Sequence, residues 1–262
     1  MIIGNKYRLI RRLGEGGSGC VYLAEDINLH KNWAIKKIKK CDSLTDYKRE
    51  ILVLSKLEHP LLPRIVDVVM EEEEVYLVMD YIRGITLQKQ MDMGMRFSLK
   101  QVKKMGSQLC DVLGYLHSKN PPIVYGDLNP SNVILTLDGS IRLVDFGISR
   151  EQSTFELPQK KGIGTKGFAS PEQYRGIIEE RSDIYSLGIL LNYMLSRRLT
   201  RRAGPFYFRR IIKKCTSKKP ERRYLNIHLL KNQLEKKPNS KLRIFLLLLF
   251  ILLIIYYQSH YK

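Results

Sequence analysis

The sequence Val124-Tyr-Gly-Asp-Leu-Asn-Pro-Ser-Asn-Val-Ile-Leu135 continues through a turn at Asp138-Gly139 into Ile141-Arg-Leu-Val-Asp-Phe-Gly147. Two short apolar runs, residues 133–135 and 141–144, flank the turn. Short apolar runs on either side of an Asp-Gly pair are typical of a β-hairpin. The stretch therefore predicts a hairpin near the middle of the chain.

Polar side chains occupy both ends of this predicted hairpin. Asp127 and Asn132 lie on the loop that enters it, and Asp145 follows its second strand. Because a hairpin brings its two ends together, we expect these three side chains to converge. Carboxylate and carboxamide oxygens suit a hard cation such as Mg²⁺, and one carboxylate can instead face an incoming hydroxyl. Taken singly, each residue is also a common loop residue.

The same segments resemble sequence motifs of a known protein family. Asp127-Leu-Asn-Pro-Ser-Asn132, followed by Asp145-Phe146-Gly, is similar to the catalytic loop and the metal-binding loop of protein kinases. The resemblance implies ATP as phosphoryl donor and Mg²⁺ as the metal, with Mn²⁺ as an alternative. It also implies that Asp127 receives or positions the proton of a substrate hydroxyl, that Asn132 and Asp145 bind the metal, and that Phe146 is structural.

Glycines near the N-terminus follow the spacing G-x-G-x-x-G. On its own this motif is weak, because it also occurs in tight turns and in dinucleotide-binding folds, where it leads from a strand into a helix. Here strand-type residues flank it on both sides, so we predict a glycine-rich hairpin that covers a nucleotide. The residues assigned to ATP binding in this hairpin are Leu13, Gly14, Glu15, Gly16, Gly17, Ser18, Gly19, Cys20 and Val21.

Further segments are similar to the parts of a kinase that hold the nucleotide. Residues 33–38 alternate as a strand, and the resemblance implies that Lys36 holds the α- and β-phosphates, with Ala34 also in the ATP site. Glu50, on a helix predicted for residues 46–57, would pair with Lys36, although a helical charge is usually solvated. The segment Met79-Asp80-Tyr81 is similar to the hinge that meets adenine; a lone methionine is more often core filler.

The helical spacing of apolar residues between 98 and 118, with Ser98 as N-cap, predicts a buried central helix. His117 near its end is interpreted as structural. Downstream, Asp183-Ile-Tyr-Ser-Leu-Gly188 is similar to a kinase helix whose aspartate receives backbone amides of the catalytic loop.

The segment Gly164-Thr165 to Ser170-Pro171-Glu172 resembles the substrate loop of Ser/Thr protein kinases. This motif is not expected in small-molecule kinases of related fold. The resemblance implies that Thr165 shapes the substrate site and that Glu172 pairs with a distant arginine, for which Arg223 has the matching spacing after Pro220.

The chain departs from the family pattern at two positions. The usual H-R-D is Tyr125-Gly126-Asp127 here, so the arginine that clamps a phosphorylated loop is missing, while Tyr125 can fill the stacking place of the histidine. The lysine that is usual two residues after the catalytic aspartate is Asn129, which removes a positive charge near the transferred phosphoryl group. We therefore expect low turnover and do not expect activation by loop phosphorylation through the contact that the arginine makes.

Composition limits the class of protein. The chain has 262 residues, of which 44% are hydrophobic, and a net charge of +19, which favours an anionic partner such as a membrane surface. No nucleic-acid-binding motif is present, and no nucleic-acid partner is expected. The four cysteines are widely spaced and are expected to be reduced thiols. The N-terminus does not resemble a signal peptide.

Residues 244–257 are continuously apolar and follow a basic segment, residues 238–243. Sixteen residues from position 242 would span about 24 Å at the helical rise, against a hydrocarbon core of about 30 Å. We expect a transmembrane anchor with the kinase domain in the cytoplasm and residues 258–262 as a short outer tail. A buried core helix or a dimer seam is the alternative. A second basic patch, residues 197–223, is expected to face anionic lipid or solvent.

Taken together, the sequence predicts an α+β, two-lobed protein-kinase-like fold over residues 7–237, followed by a C-terminal transmembrane helix. The small β-rich lobe covers about residues 7–81 and the larger helical lobe about residues 82–237. The expected activity is transfer of the γ-phosphoryl group of ATP to Ser or Thr of proteins, including the kinase itself. The alternatives are a weakly active or inactive nucleotide-binding scaffold and a small-molecule phosphotransferase.

Overall fold

The computed structural model describes residues 1–16, 19–38, 51, 55–71, 74–145, 150–151, 164–196, 204–236 and 256–257. The N-terminal lobe holds six strands: β1 (Ile2–Ile3), β2 (Tyr7–Gly16), β3 (Gly19–Asp26), β4 (Lys31–Ile38), β5 (Ile65–Glu71) and β6 (Glu74–Asp80). They form one antiparallel sheet in the order β1-β2-β3-β4-β6-β5.

Strands β4 and β6 lie side by side between β3 and β5 and are buried on both faces along most of their length. Ile35 lies opposite Val78, and the next pair, Lys36 opposite Leu77, points to the other face because side chains alternate along a strand. Ile35 and Val78 pack with Trp33 in one apolar cluster, whereas Leu77 packs with Ile38 and Val75 in another. Lys36 is therefore carried on a rigid strand, with its side chain on the face opposite to Ile35.

The second lobe is mostly helical. Its elements are β7 (Gly84–Thr86), α1 (Leu87–Asp92), α2 (Leu99–His117), β8 (Ile123–Val124), β9 (Val133–Thr136), β10 (Ile141–Leu143), β11 (Arg150–Glu151), α3 (Glu180–Ser196), α4 (Phe206–Cys215) and α5 (Ile227–Glu235). Single 3-10 turns occur at Gln173–Arg175 and Pro220–Arg222.

The predicted central helix is confirmed as α2. Ser98 accepts a hydrogen bond from the backbone of Gln101, and the Gln101 side chain binds back to the Ser98 amide, which forms a capping box. One face of α2 is fully buried and packs against α3 and α5. This helix is the central element of the large lobe, and its last residue, His117, contacts Asp183, which in turn binds the backbone of the catalytic loop.

The predicted hairpin is also confirmed. Strand β9 pairs with β10 in antiparallel register, with Val133 opposite Leu143, and β7 joins on the other side of β9. Beyond the last pair, the amide of Val144 donates to the carbonyl of Asn132 over 2.9 Å. The hairpin therefore places Asp145 next to Asn132, as the sequence indicated.

Several predicted residues lie outside the parts of the chain that the structure describes. Gly17, Ser18, Phe146 and most of the helix predicted for residues 46–57, including Glu50, lie outside the described residues. The predicted anchor at residues 244–257 also lies outside them, except at Tyr256 and Tyr257. Within the described ranges, no helix combines the length and the apolar character needed to cross a bilayer.

Candidate active site

Lys36 and Asp145 form an ion pair that joins the two lobes. The Nζ atom of Lys36 lies 3.1 Å from Oδ1 of Asp145, and 3% of Lys36 is exposed. A buried cation requires a compensating partner, since an isolated charge in a protein interior is strongly unfavourable. The ammonium group is thus fixed at the same carboxylate that the sequence assigned to metal binding.

The glycine-rich segment is a hairpin between β2 and β3, as predicted. Gly16 lies opposite Gly19, so the motif leads from strand to strand and not into a helix. Gly19 has φ of +130°, and a Cβ atom there would collide with the carbonyl oxygen of Lys37. Only glycine fits at this position. Because it has no side chain, the end of the hairpin can approach the strand that carries Lys36 closely.

The residues assigned to the adenine site lie on β4 and at the end of β6. Ala34 is directly opposite Met79 in the sheet register. The carboxylate of Asp80 binds the guanidinium group of Arg64, with 2.9 Å between Nε and Oδ2. The Asp80 side chain is thereby held by Arg64, and Tyr81 follows it as the chain enters the large lobe.

The carboxylate of Asp127 is surrounded by hydrogen-bond donors. Its Oδ1 atom accepts from the Thr165 amide at 2.9 Å and from the Thr165 hydroxyl at 2.7 Å. Its Oδ2 atom accepts from Nδ2 of Asn132 at 3.1 Å. A carboxylate can accept about four hydrogen bonds, so one further position, at Oδ2, suits an incoming hydroxyl group.

Asn129 is buried and links the catalytic loop to Thr165. Its Nδ2 atom donates to the Asp127 carbonyl at 3.1 Å and to the Thr165 hydroxyl at 2.9 Å. Its Oδ1 atom accepts from the amide of Ser131 at 2.9 Å. Both ends of this amide are thus used to hold the loop, a role that the sequence analysis did not assign to it.

Tyr125 supports the segment that carries Asp145. Its hydroxyl donates to the Val144 carbonyl at 2.6 Å and lies 3.0 Å from the Asp145 carbonyl. Burial raises the pKa of the Tyr125 hydroxyl, and the nearby carboxylates of Asp145 and Asp127 raise it further. The hydroxyl therefore stays protonated and remains a donor to the backbone at Asp145, where φ is +64°.

Asp183 is a fully buried acceptor beneath the catalytic loop. It accepts from the backbone amides of Tyr125 at 2.9 Å and of Gly126 at 2.8 Å, which is the contact that the sequence predicted. The Nε2 atom of His117 lies 2.8 Å from the same carboxylate. His117 is accordingly a structural residue that ties the end of α2 to this aspartate.

The predicted pair of Glu172 and Arg223 is present and buried. Two guanidinium nitrogens of Arg223 bind the two carboxylate oxygens at 2.6 and 2.8 Å. Burial alone would raise the pKa of Glu172, but the hydrogen bonds from Arg223 and its neighbours hold it below the usual range. Ser170, Pro171 and Glu172 are thereby fixed against the body of the large lobe.

This geometry agrees with a comparison against known proteins. Residues 7–242 match the family model described as the protein kinase domain. The chain belongs to the protein kinase family. Membership implies ATP as phosphoryl donor and a divalent metal as cofactor.

The kinase is similar to several curated bacterial proteins. It is 33% identical over 205 residues to serine/threonine-protein kinase PrkC of Bacillus subtilis, a match that covers 75% of this chain and 31% of PrkC. It is 34% identical over 212 residues to serine/threonine-protein kinase pkn2 of Myxococcus xanthus, covering 76% and 25% of the two chains. It is 31% identical over 207 residues to serine/threonine-protein kinase PknB of Mycobacterium leprae, covering 74% and 33%. The kinase thus spans about a quarter to a third of these relatives.

The two residues assigned to metal binding, Asn132 and Asp145, offer oxygen atoms that suit a divalent cation. Asn132 turns its amide nitrogen toward Asp127, so its oxygen is the atom that suits a cation. Asp145 keeps 35% of its side chain exposed beside it. Within the described parts of the kinase, no group of three His, Cys, Asp or Glu side chains could hold a metal by itself. A metal bound by one carboxylate and one amide needs phosphate and water oxygens to complete its shell, which suits Mg²⁺ with a nucleotide.

Sequence reasoning overlooked two residues that the kinase uses to hold its catalytic loop. Asn129 was noted only for the charge it lacks, and Gln173 was not noted at all. Gln173 is fully buried and donates from Nε2 to the Gly126 carbonyl at 2.6 Å. Neither role has a local pattern in the sequence, because each depends on a partner 36 or 47 residues away.

Proposed function

We propose that the chain is a serine/threonine protein kinase that transfers the γ-phosphoryl group of ATP to Ser or Thr of proteins, including itself. The observation that carries the proposal is the bonding of Thr165 to Asp127. This contact places the start of the substrate loop directly on the carboxylate that would receive the substrate hydroxyl. The names of the curated relatives support the same class of acceptor.

Asp127 would act on the hydroxyl of the bound protein substrate. Asn132 and Thr165 orient the carboxylate, and the remaining acceptor position at Oδ2 would receive the hydroxyl proton or direct it. Lys36 would contribute positive charge to the phosphates from a fixed strand. Much of the rate enhancement would come from this positioning and from electrostatic stabilisation.

For the metal we propose Mg²⁺, with Mn²⁺ as a possible substitute, bound by Asn132 and Asp145. When bound, the ion would neutralise charge on the transferred phosphoryl group. The Lys36–Asp145 contact would help to hold the carboxylate in place. We expect Asp145→Ala to abolish transfer that depends on Mg²⁺ and ATP, and retained transfer in this variant would contradict the metal assignment.

The experiment that tests the function is transfer of labelled γ-phosphate from ATP with Mg²⁺ to the protein itself and to a generic basic protein. Asp127→Asn is the matched control, because it preserves size while removing the negative charge. Label on Ser or Thr that disappears in the variant would support the proposal. Nucleotide binding without phosphoryl transfer would favour the alternative that the protein is a nucleotide-binding scaffold. Transfer to small alcohols or aminoglycosides, with none to protein, would favour a small-molecule phosphotransferase.

We further propose that the kinase domain is tethered to the cytoplasmic face of a membrane. The proposal is supported by the apolar run at residues 244–257 and by a basic face on and after α4. The basic face is a set of exposed cations: Arg209, Arg210, Lys213, Lys214, Lys218, Lys219 and Arg222. Exposed Phe206 and Leu225 flank it, and both are suited to the boundary between lipid headgroups and acyl chains.

Vesicle sedimentation tests this tethering. Residues 1–240 would bind vesicles that contain anionic lipid through the basic face, and would bind neutral vesicles weakly, because the attraction is electrostatic. Replacing Arg209, Lys213 and Lys214 with glutamine should abolish sedimentation. The full chain with the same substitutions should remain associated with both kinds of vesicle through residues 244–257.

A further inference from the structure

Gly126 occupies the position where a kinase usually has the arginine that binds a phosphorylated activation loop. Its φ of +76° lies in the left-handed region, which favours glycine over arginine. The backbone amide and the backbone carbonyl of Gly126 both make hydrogen bonds. The amide donates to Asp183 at 2.8 Å, and the carbonyl accepts from Nε2 of Gln173 at 2.6 Å.

Gln173 reaches this carbonyl from the far end of the substrate loop. Its other atom, Oε1, accepts from the amide of Ser170 at 2.8 Å, and the side chain is fully buried. One end of the amide faces a carbonyl and the other faces an N–H group, so a carboxamide in this orientation satisfies both, whereas a carboxylate cannot. The side chain is therefore matched to its two partners and not merely packed among them.

The substrate loop is thus closed onto the catalytic loop at both of its ends. Thr165 binds Asp127 at one end, and Gln173 binds Gly126, the neighbour of Asp127, at the other. Gly164 packs onto the second contact, because a Cβ atom there would lie 3.2 Å from Nε2 of Gln173 and 3.3 Å from the Gly126 carbonyl. Gly164 has φ of +99°, so a side chain at this position would also strain the backbone.

We propose that Gln173 is a positioning residue that aligns the catalytic loop with the substrate loop without phosphorylation. The inference rests on the proposed kinase function. In a kinase with the arginine, a phosphate group supplies the charge that orders the loop. Here the link made by Gln173 consists of neutral groups whose hydrogen bonds form in the unmodified chain. The kinase is accordingly competent as synthesised, and phosphate on its own loop is not required for turnover.

Two substitutions separate positioning from packing. Gln173→Met keeps the buried volume but removes the hydrogen bonds at both ends. Gln173→Glu keeps the acceptor for Ser170 but places a carboxylate against the Gly126 carbonyl, unless the carboxyl is protonated and can donate. The charged groups on the surrounding elements are Asp127, Asp183 and the Glu172–Arg223 pair. Gln108→Met, on the half-buried side of α2, is the matched control.

The experiment measures kcat and the KM for ATP of the full chain after treatment with a Ser/Thr phosphatase. We expect the treated wild type to keep its kcat within about twofold, and Gln173→Met to lose about 10- to 100-fold in kcat with little change in KM. Gln173→Glu should recover activity relative to wild type as pH falls, whereas a purely structural defect would not. Gln108→Met should match the wild type.

Loss of activity on phosphatase treatment, restored by autophosphorylation, would overturn the inference while leaving the kinase function intact. Full kcat in Gln173→Met would overturn it as well. If even the wild type transfers no phosphate, the proposed function fails, and hydrogen exchange still decides the positioning role. In that case, faster amide exchange in residues 164–176 of Gln173→Met than of Gln108→Met would support the contact, and equal exchange would refute it.

Discussion

Asn129 donates a hydrogen bond from its buried amide to the hydroxyl of Thr165, with 2.9 Å between Nδ2 and Oγ1. The same hydroxyl donates to Asp127. Thr165 is thus held by a neutral side chain, which stands where the family pattern has a lysine. The missing positive charge is expected to slow phosphoryl transfer, whereas the hydrogen bond to Thr165 is expected to support it. Substitutions at Asn129 can separate these two effects.

Asn129→Ala should lower kcat by about 10- to 100-fold, because Thr165 and the catalytic loop lose their common donor. Unfolding free energy should fall by about 1–3 kcal/mol, since the hydrogen bonds of the buried Asn129 side chain to Asp127, Thr165 and Ser131 are lost. Asn226→Ala is the control, because Asn226 caps α5 and its loss costs about 1 kcal/mol without touching the site. Equal kcat in the two variants would show that Asn129 only stabilises the fold.

Asn129→Lys should raise kcat by up to about tenfold, because a cation beside the transferred phosphoryl group stabilises developing charge. It should also lower the melting temperature, since lysine offers no acceptor to Ser131. Steady-state kinetics and thermal denaturation measure the two effects. A variant that is both slower and less stable would mean that the hydrogen bonds of asparagine matter more than the charge.

Lys36→Met should reduce kcat/KM for ATP by about 100-fold or more, because the cation at the phosphates and at Asp145 is lost. Lys37→Met is the matched control, as Lys37 is the next residue on β4, pairs with Glu74, and points to the other face. We expect the control to keep its kinetics. Similar losses in the two variants would contradict the assignment of Lys36.

The Glu172–Arg223 pair should make the kinase sensitive to acid. Because the pKa of Glu172 is lowered in the fold, its contribution is present above the ordinary value of 4.5 and is lost as pH falls through the lower, folded pKa. Removing one partner of a buried pair costs about 3–5 kcal/mol. Glu172→Gln should therefore be much less stable than wild type at pH 7, and the difference in stability should narrow as pH falls below 4.5 and through the folded pKa.

Asp111→Asn is the control for this effect. Asp111 pairs with Lys231 on the surface, with 45% of its side chain exposed, and such pairs contribute less than about 1 kcal/mol. Chemical denaturation at pH 7 and at acidic pH would measure both variants. A stability gap for Glu172→Gln that stays constant with pH would argue against the ion pair as its cause.

Removal of residues 241–262 should give a soluble domain with unchanged kcat. Every residue of the described core lies at or before Leu234, so the truncation takes nothing from that core. Sedimentation and phosphate transfer by the truncated chain measure the outcome. A domain that unfolds would identify residues 244–257 as part of the core instead of a membrane anchor.

Local patterns in the sequence predicted the elements of this fold well. The capped helix α2, the β2–β3 hairpin and the β9–β10 hairpin each follow from the spacing of apolar, capping and turn residues that lie close together in the sequence. The family motifs also indicated the distant Glu172–Arg223 pair. The neutral links made by Asn129 and Gln173 were missed, because an amide carries no periodic or charge signal. Only the folded chain shows which backbone group each one meets.

The contact between Lys36 and Asp145 was not predicted. The predicted pairing of Lys36 with Glu50 lies outside the described residues and stays a prediction, while the described contact joins Lys36 to a residue 109 positions away. A lysine and an acidic residue so far apart can be matched only through the fold that joins the lobes. The resemblance identified both residues but not the bond between them.

Asp183 has a consequence for how the kinase loses activity when it unfolds. This carboxylate is held at the end of the central helix by His117 and in turn fixes the amides of Tyr125 and Gly126. The catalytic loop is therefore part of the same cooperative unit as the core of the large lobe. We expect it to open together with that lobe and not by itself, so heat or denaturant should abolish catalysis only when the whole lobe melts.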